Sequence, residues 1–287
     1  MTKQDQSSDQ GVGKLYVVAT PIGNFGDITE RALDVLRHVD LILAEDTRRT
    51  KPMLQRFAIG RPKVMAFHEH NEGFTTDKII ERLMLGEEVA LVSDAGTPLI
   101  SDPGYSLVSA AHQAKISVVP IPGACAAIAA LSASGLATDQ FFFAGFLPAK
   151  TTQRCKALTS LHEQVGTLVF YESSHRIIGS MEDCLSILGD RQTVLARELT
   201  KMYETVKVGK LSKLLGFVRA DKNQQKGEFV LLVEGREKQE TTLELKELDR
   251  LLLVMMEELS LKQAASLTAK ILGIKKNTAY QRALTLK

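Results

Sequence analysis

Residues 89–104 read V-A-L-V-S-D-A-G-T-P-L-I-S-D-P-G, and the change of texture inside this stretch decides the fold class. Val89–Val92 is a short, continuously apolar run, the signature of a strand buried on both faces of a parallel sheet. Ser93 and Asp94 end it, and Gly96, Pro98, Pro103 and Gly104 then forbid regular structure for about ten residues. That exceeds the usual link between a strand and a helix, and ordered loops of such length more often carry function than merely connect. Carboxylates, hydroxyls and free backbone groups are thereby held at the carboxyl end of a buried strand, where open α/β sheets bind ligands. The alternative, an ordinary surface loop, accounts less well for the length.

Outward from this segment the first half alternates strand and helix patterns. Strands are expected at Leu15–Thr20, Leu41–Ala44, Val64–Phe67, Val89–Val92 and Val118–Ile121, with helical patterns between most of them. The first helix carries apolar Ile28, Ala32, Val35, Leu36 and Val39, with Asp27-x-x-Glu30 as its capping box. This rhythm implies a mainly parallel sheet covered on both faces. After Leu136 the texture shifts to strand-like runs at Phe141–Phe146, Thr167–Tyr171, Thr193–Ala196, Tyr203–Val208 and Glu228–Glu234. A short polar link between two of them suggests antiparallel pairs in a mixed sheet. Residues 240–287 hold no strand signal and read as two or three helices. The expected organisation is a disordered tail over residues 1–13, an α/β domain over 14–137, a mixed-sheet α/β domain over 138–239 and a helical extension over 240–287. Residues 237–242 serve as the linker.

Composition bounds the function. A length of 287 residues fits about two domains, and 44% hydrophobic with 24% charged residues is ordinary for a globular protein. With a net charge of only +2, any contact with nucleic acid must rest on local patches. Cys125, Cys155 and Cys184 have neither metal-type nor redox-type spacing, and their odd number fits a reducing compartment. The first ten residues lack the apolar core of a signal peptide, and Ile121–Ala137 is too short and too rich in small residues to span a membrane. A cytoplasmic location is expected.

A second loop, Pro21-Ile22-Gly23-Asn24-Phe25-Gly26-Asp27, follows the first strand, and Glu45-Asp46 ends the next. The order resembles a dinucleotide fold, but Pro21 stands where its first glycine should be, and a tight turn requiring glycine explains the segment equally well. No G-K-[ST] follows, which excludes a Walker loop.

Eight segments carry a family resemblance: A-T-P-I-G-N-F-G-D-I-T (19–29), A-E-D-T-R-R-T (44–50), F-H-E-H-N-E (67–72), V-S-D-A-G-T-P-L-I-S-D-P-G (92–104), I-P-G-A-C-A (121–126), G-F-L-P (145–148), Y-E-S-S-H-R (171–176) and A-R-E-L-T-K (196–201). In them the chain resembles the tetrapyrrole-methylase superfamily of S-adenosylmethionine-dependent methyltransferases. Within it, the chain resembles the ribosomal RNA small-subunit methyltransferase I family. The resemblance implies two α/β domains with the cofactor in the cleft between them, and 2′-O-methylation of a cytidine ribose in 16S rRNA, within the 30S subunit. It also implies a homodimer; no metal is expected, because S-adenosylmethionine chemistry needs none and no fourth ligand joins His68, His70 and Glu72. Carried onto matching positions, Phe25, Asp94, Ala95, Gly96, Thr97, Cys125, Ala126, Glu172, Leu199, Glu228 and Phe229 would surround S-adenosylmethionine. Three positions depart from the family pattern: Phe25 for leucine, Cys125 for a small hydroxyl residue, and Ser174 for proline. The last loosens a turn while keeping Glu172 and His175. The rival enzyme on the same scaffold is a tetrapyrrole or diphthine-type methyltransferase; a non-catalytic RNA-binding relative is the rival from another class.

Methyl transfer is an in-line displacement, so alignment of acceptor and methyl group dominates, and removal of the hydroxyl proton helps. The expected acid–base candidates are His70, Glu72 and Glu172, with Arg48 beside them in the catalytic set. His68, His70 and Glu72 would share a face if their stretch is extended. Asp94 can accept from the cofactor's donors, and a helix beginning near Pro122-Gly123 would turn its N–H groups toward the ligand. The small residues Ala124–Ala130 would let that helix approach both ligand and sheet.

Two charge concentrations point to RNA. Residues 45–63 carry a net +4 and include Arg48, Arg49 and Lys51, and residues 262–287 carry +6 with no acid, including Lys275, Lys276 and Arg282. Residues 240–261 carry −4, so the tail switches sign sharply. Ala269, Gly273 and Ala279 have helix-turn-helix spacing, which a small helical cap would also show; the basic charge favours phosphate contact over base reading.

Overall fold

The computed structural model describes residues 11–237 and 242–286. The first ten residues of the expected tail, positions 238–241 of the expected linker and Lys287 lie outside the described residues. Residues up to Gly235 form one compact unit and those from Arg236 a second.

The first unit holds two sheets. In the first, β1 (Lys14–Val18), β2 (Leu41–Ala44), β3 (Lys63–Ala66), β4 (Val89–Val92) and β5 (Ser117–Ile121) lie in the order β3-β2-β4-β1-β5. Every pairing is parallel. Alternate residues of β2 and β4 face opposite ways, as the two-residue period of a strand requires. Ile42, Ala44, Ala90 and Val92 meet α1 (Glu30–His38) and α2 (Thr47–Arg56) through Ala32, Leu36, Met53 and Leu54. Leu41, Leu43, Val89 and Leu91 meet α3 (Glu72–Met84) and α4 (Tyr105–Gln113) through Ile79, Leu83, Leu107 and Ala111. The connections leaving neighbouring β2 and β4 therefore go to opposite faces, which opens a crevice outside their carboxyl ends.

The expected capping box at Asp27 is replaced by a different arrangement. Phe25–Asp27 forms a short 3-10 turn whose cap is Asn24, and Thr29 caps α1 by accepting from the Ala32 N–H. Asp27 is used inside the turn, so the hydroxyl two residues on takes the cap.

The second sheet runs β6-β7-β10-β8-β9, from β6 (Phe141–Phe146), β7 (Thr167–Ser173), β8 (Gln192–Arg197), β9 (Thr205–Lys210) and β10 (Glu228–Val233). Only β6 and β7 are parallel; the other pairings are antiparallel, including β8 with β9 across the short link anticipated from the sequence. One face packs on α6 (Thr151–Leu161), α7 (Ile177–Leu188) and α8 (Leu211–Ala220), around fully buried Phe170, Leu158 and Met181. Each such side chain contributes about 1.5–3 kcal/mol by leaving water. The other face is covered by α5 (Ala126–Ser132), whose Ala127, Ala130 and Leu131 lie against Val169, Val194, Ala196, Val230 and Leu232. Alanines let α5 come close to the strands, so a helix from the first half roofs the sheet of the second.

The second unit is three helices, α9 (Thr242–Glu258), α10 (Leu261–Leu272) and α11 (Lys276–Thr285). Its core is Leu248, Leu252, Ala265, Ala269, Ala279 and Ala283. Ser260 and Gln263 make a reciprocal capping box at the start of α10, and Gly273 ends it in the left-handed conformation at φ 66°. The buried alanines Ala269 and Ala279 flank that glycine turn, which gives the helix-turn-helix spacing a structural basis.

Candidate active site

The crevice at the carboxyl ends of β2 and β4 continues into a cavity of about 350 Å³. Its first wall comes from the loops that opened the sequence argument. Asp94 accepts the Asp46 N–H at 2.9 Å through Oδ1, and Arg49 Nε lies 3.4 Å from its Oδ2. The Asp94 N–H in turn donates to Glu45 Oε2 at 3.3 Å. Gly96 and Thr20 exchange two backbone hydrogen bonds, at 2.8 and 3.0 Å, and Thr97 Oγ1 donates to the Ala124 carbonyl at 3.1 Å. These bonds clamp the 93–104 loop to both neighbouring loops, so the wall is fixed.

Ile22, Glu45, Arg49, Asp94–Thr97, Ile100–Asp102, Cys125 and Ala126 line this side. Phe146, Tyr171, Glu172, Ser173, Ala196, Leu199, Glu228, Phe229 and Val230 line the other. Two hinge-like points recur in this lining. Leu99 (φ 70°) and Ser101 (φ 69°) flank Ile100, and Glu198 (φ 49°) and Thr200 (φ 66°) flank Leu199. A non-glycine residue in the left-handed region costs about 1–3 kcal/mol and persists where the surroundings impose it, commonly at functional sites. Four of the six such residues among those described flank the cavity.

The first wall is acidic. Burial pushes the Glu45 carboxyl above its ordinary range, and the Asp94 and Asp46 charges add to this against the Asp94 N–H and Arg49. Burial and then the Glu45 charge push Asp102 up to about 7, against a hydrogen bond from Ser93. Across the cavity, burial raises the Tyr171 hydroxyl, which accepts the Ala127 N–H at 3.1 Å.

Of the residues expected around the cofactor, Asp94, Ala95, Gly96, Thr97, Cys125, Ala126, Glu172, Leu199, Glu228 and Phe229 line the cavity. Phe25 is not among its lining residues; its ring meets Phe57 edge-on at 6.1 Å with the Arg56 guanidinium 5.8 Å away. The expected helix start near Pro122-Gly123 is displaced to Ala126, after a Cys125 N-cap that makes no side-chain cap bond. The Ala127 N–H is taken by Tyr171 rather than left for a ligand.

The acid–base candidates fare differently. Glu172 is buried with both oxygens engaged: Oε1 by the Ser173 N–H and Arg176 Nη2, each at 2.8 Å, and Oε2 by Ser180 Oγ at 2.5 Å. That network commits both of its oxygens to donors from the protein itself. Residues 67–72 are not extended, which corrects the shared-face expectation for His68, His70 and Glu72. Asn71 accepts the His68 N–H at 2.8 Å and donates to the Ala66 carbonyl at 3.0 Å, curling the chain into a turn before α3. His70 is exposed outside the cavity lining, and Glu72 accepts from the Ser106 N–H and hydroxyl at 2.9 and 2.5 Å. Arg48 also lies outside the lining; it grips Asp46 with Nη2 2.7 Å from Oδ2 and keeps an exposed side chain. Asp102 and Glu45 received no role from the sequence, although Asp102 stands in the same polar loop as Asp94. Among the described residues no group of three or more histidine, cysteine and carboxylate side chains is placed to hold a metal ion.

For the RNA candidates, Arg48, Arg49 and Lys51 sit exposed in the first two turns of α2. In the helical unit Lys262, Lys270, Lys275 and Lys276 are exposed. Arg282 instead is committed to Asp249 of α9, through bonds of 2.7 and 2.6 Å. It ties two helices of the unit together, and the basic surface rests on the lysines.

The family model for tetrapyrrole (corrin/porphyrin) methylases matches residues 14–215, and that for the RsmI C-terminal HTH domain matches residues 243–287. The ribosomal RNA small subunit methyltransferase I of Escherichia coli O157:H7 is 52% identical over 283 residues, 98% of each chain. That of Pasteurella multocida is 50% identical, covering 95% of this chain and 97% of its own. Among solved structures, a diphthine synthase aligns with a TM-score of 0.59 at 19% identity, over 78% of this chain and 90% of its own. Uroporphyrin-III-C-methyltransferase from Thermus thermophilus aligns at 0.52 and 23% identity, over 77% and 94%. At these identities the structures speak for the fold alone. By its family matches and its near-full-length likeness to these relatives, the chain belongs to the tetrapyrrole (corrin/porphyrin) methylase family and groups there with the ribosomal RNA small subunit methyltransferase I proteins.

Proposed function

We propose that this protein methylates ribosomal RNA of the small subunit, at the ribose 2′-hydroxyl of a cytidine, with S-adenosylmethionine as methyl donor. The observation that carries the reading is that the likeness runs through the basic helical unit as well as the methylase region. A porphyrin precursor or a single protein side chain would not need exposed lysines there.

The cavity suits the donor. S-adenosylmethionine supplies a methyl group already activated on a sulfonium centre. The Glu45 and Asp94 carboxylates suit its positive charge and N–H groups, while Ala126, Ala196 and Val230 offer a close apolar surface for a flat ring. Asp94–Thr97, Cys125, Ala126, Glu172, Leu199, Glu228 and Phe229 would hold it, with Phe25 supporting the loop from outside. Catalysis then rests on alignment, which the clamped loops serve by arriving already ordered. Arg48, Arg49 and Lys51 are assigned phosphate contact beside the cavity, and the lysines of α10 and α11 the same task on the helical unit. The division into α/β domains at about residue 137 and a helical extension from 240 belongs to this reading. So do a cytoplasmic site of action and a homodimer, which sedimentation would check. Among the described residues no helix is long and apolar enough to cross a membrane.

The deciding experiment incubates the protein with labelled S-adenosylmethionine and, separately, 30S particles, free rRNA and uroporphyrinogen. Label is expected on RNA, at a ribose. Label on the tetrapyrrole alone would overturn the assignment.

A further inference from the structure

Asp102 differs from the other carboxylates at the cavity. Asp94 has Arg49, Glu172 has Arg176, and Glu228 has Lys201 at 2.8 Å; Glu45 has no ion pair among the described residues but accepts the Asp94 N–H at 3.3 Å. Half-buried Asp102 shares the cavity lining with Glu45, Asp94, Cys125 and Tyr171, and the Glu45 and Asp94 charges both act to keep it protonated. Arg49 pairs with Asp94, and among the described residues no cation is among the groups acting on Asp102. Asp102 lines the cavity, and the residue before it, Ser101, is held in the left-handed conformation at φ 69°.

We infer that Asp102 is the base that takes the proton of the acceptor hydroxyl during methyl transfer. This rests on the ribose-methylation reading. As the acceptor O–H bond breaks, the proton passes to the Asp102 carboxylate and the oxygen's electron pair forms the new bond to the methyl carbon. The carbon–sulfur bond breaks with its pair going to sulfur, and the protonated Asp102 then releases its proton to solvent. A carboxylate with a cation partner would be too weak a base; burial beside Glu45 brings Asp102 up to about 7, matched to neutral pH.

The test compares full-length wild type, Asp102→Asn and Asp102→Glu in single-turnover methylation of 30S particles, with calorimetry of S-adenosylmethionine binding. The wild-type rate should rise with pH and level off above about 7. Asp102→Asn should lose about 10²–10⁴-fold in rate together with that rise, Asp102→Glu should recover part of it, and donor affinity should hold in both. Independently of turnover, carbon-13 NMR of the aspartate carboxyls without donor should show a resonance titrating near neutrality that Asp102→Asn removes. A wild-type rate and pH profile in Asp102→Asn, absence of that resonance, or loss of donor binding in both variants would overturn the proposal. Wild type that labels no RNA ribose would instead bring down the reading beneath it, with the NMR titration still reporting on Asp102 itself.

Discussion

Asp94 and Asp102 stand in one loop, and their neighbours set them apart. Asp94 has an N–H and a guanidinium for company, whereas Asp102 has a hydroxyl and two carboxylates. The difference has a cost in stability. An Asp whose folded pKa lies above its unfolded value holds a proton in the native state that the unfolded chain has released, so between about 4 and 7 stability falls as pH rises. Above 7 the penalty is complete, and below 4 it is absent. Asp102→Asn should therefore melt about 2–4 °C higher than wild type at pH 8, a modest gain because solvent screens part of the charge. The gain should shrink as pH falls through 7 toward 4. Thermal melts by circular dichroism at several pH values check this, and a gain of equal size at all of them would be inconsistent with an ionised Asp102. The sequence put Asp102 in a functional loop but could not rank it, because its environment is supplied by Glu45, 57 residues earlier in the chain, and by burial.

At the scale of elements, the strands were legible because β2 and β4 are fully buried, apolar runs with hard stops. The 67–72 segment was not, since alternating residues there mimic a strand until the Asn71 amide closes a turn. The 93–104 loop is held at its far end by Gly104. Its φ is +129°, and a Cβ there would lie 2.6 Å from Leu91 Cδ2. Gly104→Ala should cost about 2–3 kcal/mol, because strain and overlap with a core residue act together. Denaturant melts measure this; a loss below about 0.5 kcal/mol, the usual size of a surface change, would mean the turn relaxes freely.

For the whole molecule, α5 decides the arrangement. A helix that follows the first sheet covers the second, so the two α/β halves share a core and the cavity between them has built walls. The helical unit carries its own core and its own charge. Lys275→Glu combined with Lys276→Glu should weaken 30S binding and lower the slope of log affinity against log salt by about 2, as expected when two phosphate contacts are lost. S-adenosylmethionine affinity should stay at the wild-type value. Unaltered 30S binding in filter assays across salt would reduce the unit to a structural role.

By itself the sequence determined the local physics of the chain: which runs are buried strands, which loops cannot be regular, and where charge collects. It also carried enough motif residues, from Ala19 to Lys201, to mark a methylase family. These follow from properties of neighbours along the chain. Tertiary structure decided which of the polar residues matter to one another. Glu172 became a carboxyl with both oxygens engaged and Glu72 a brace for α4, while Arg282 became a helix tie and Asp102 a cavity carboxylate without an ion pair among the described residues. Ionisation and reactivity depend on burial and on partners distant in sequence, and only the folded chain brings these together.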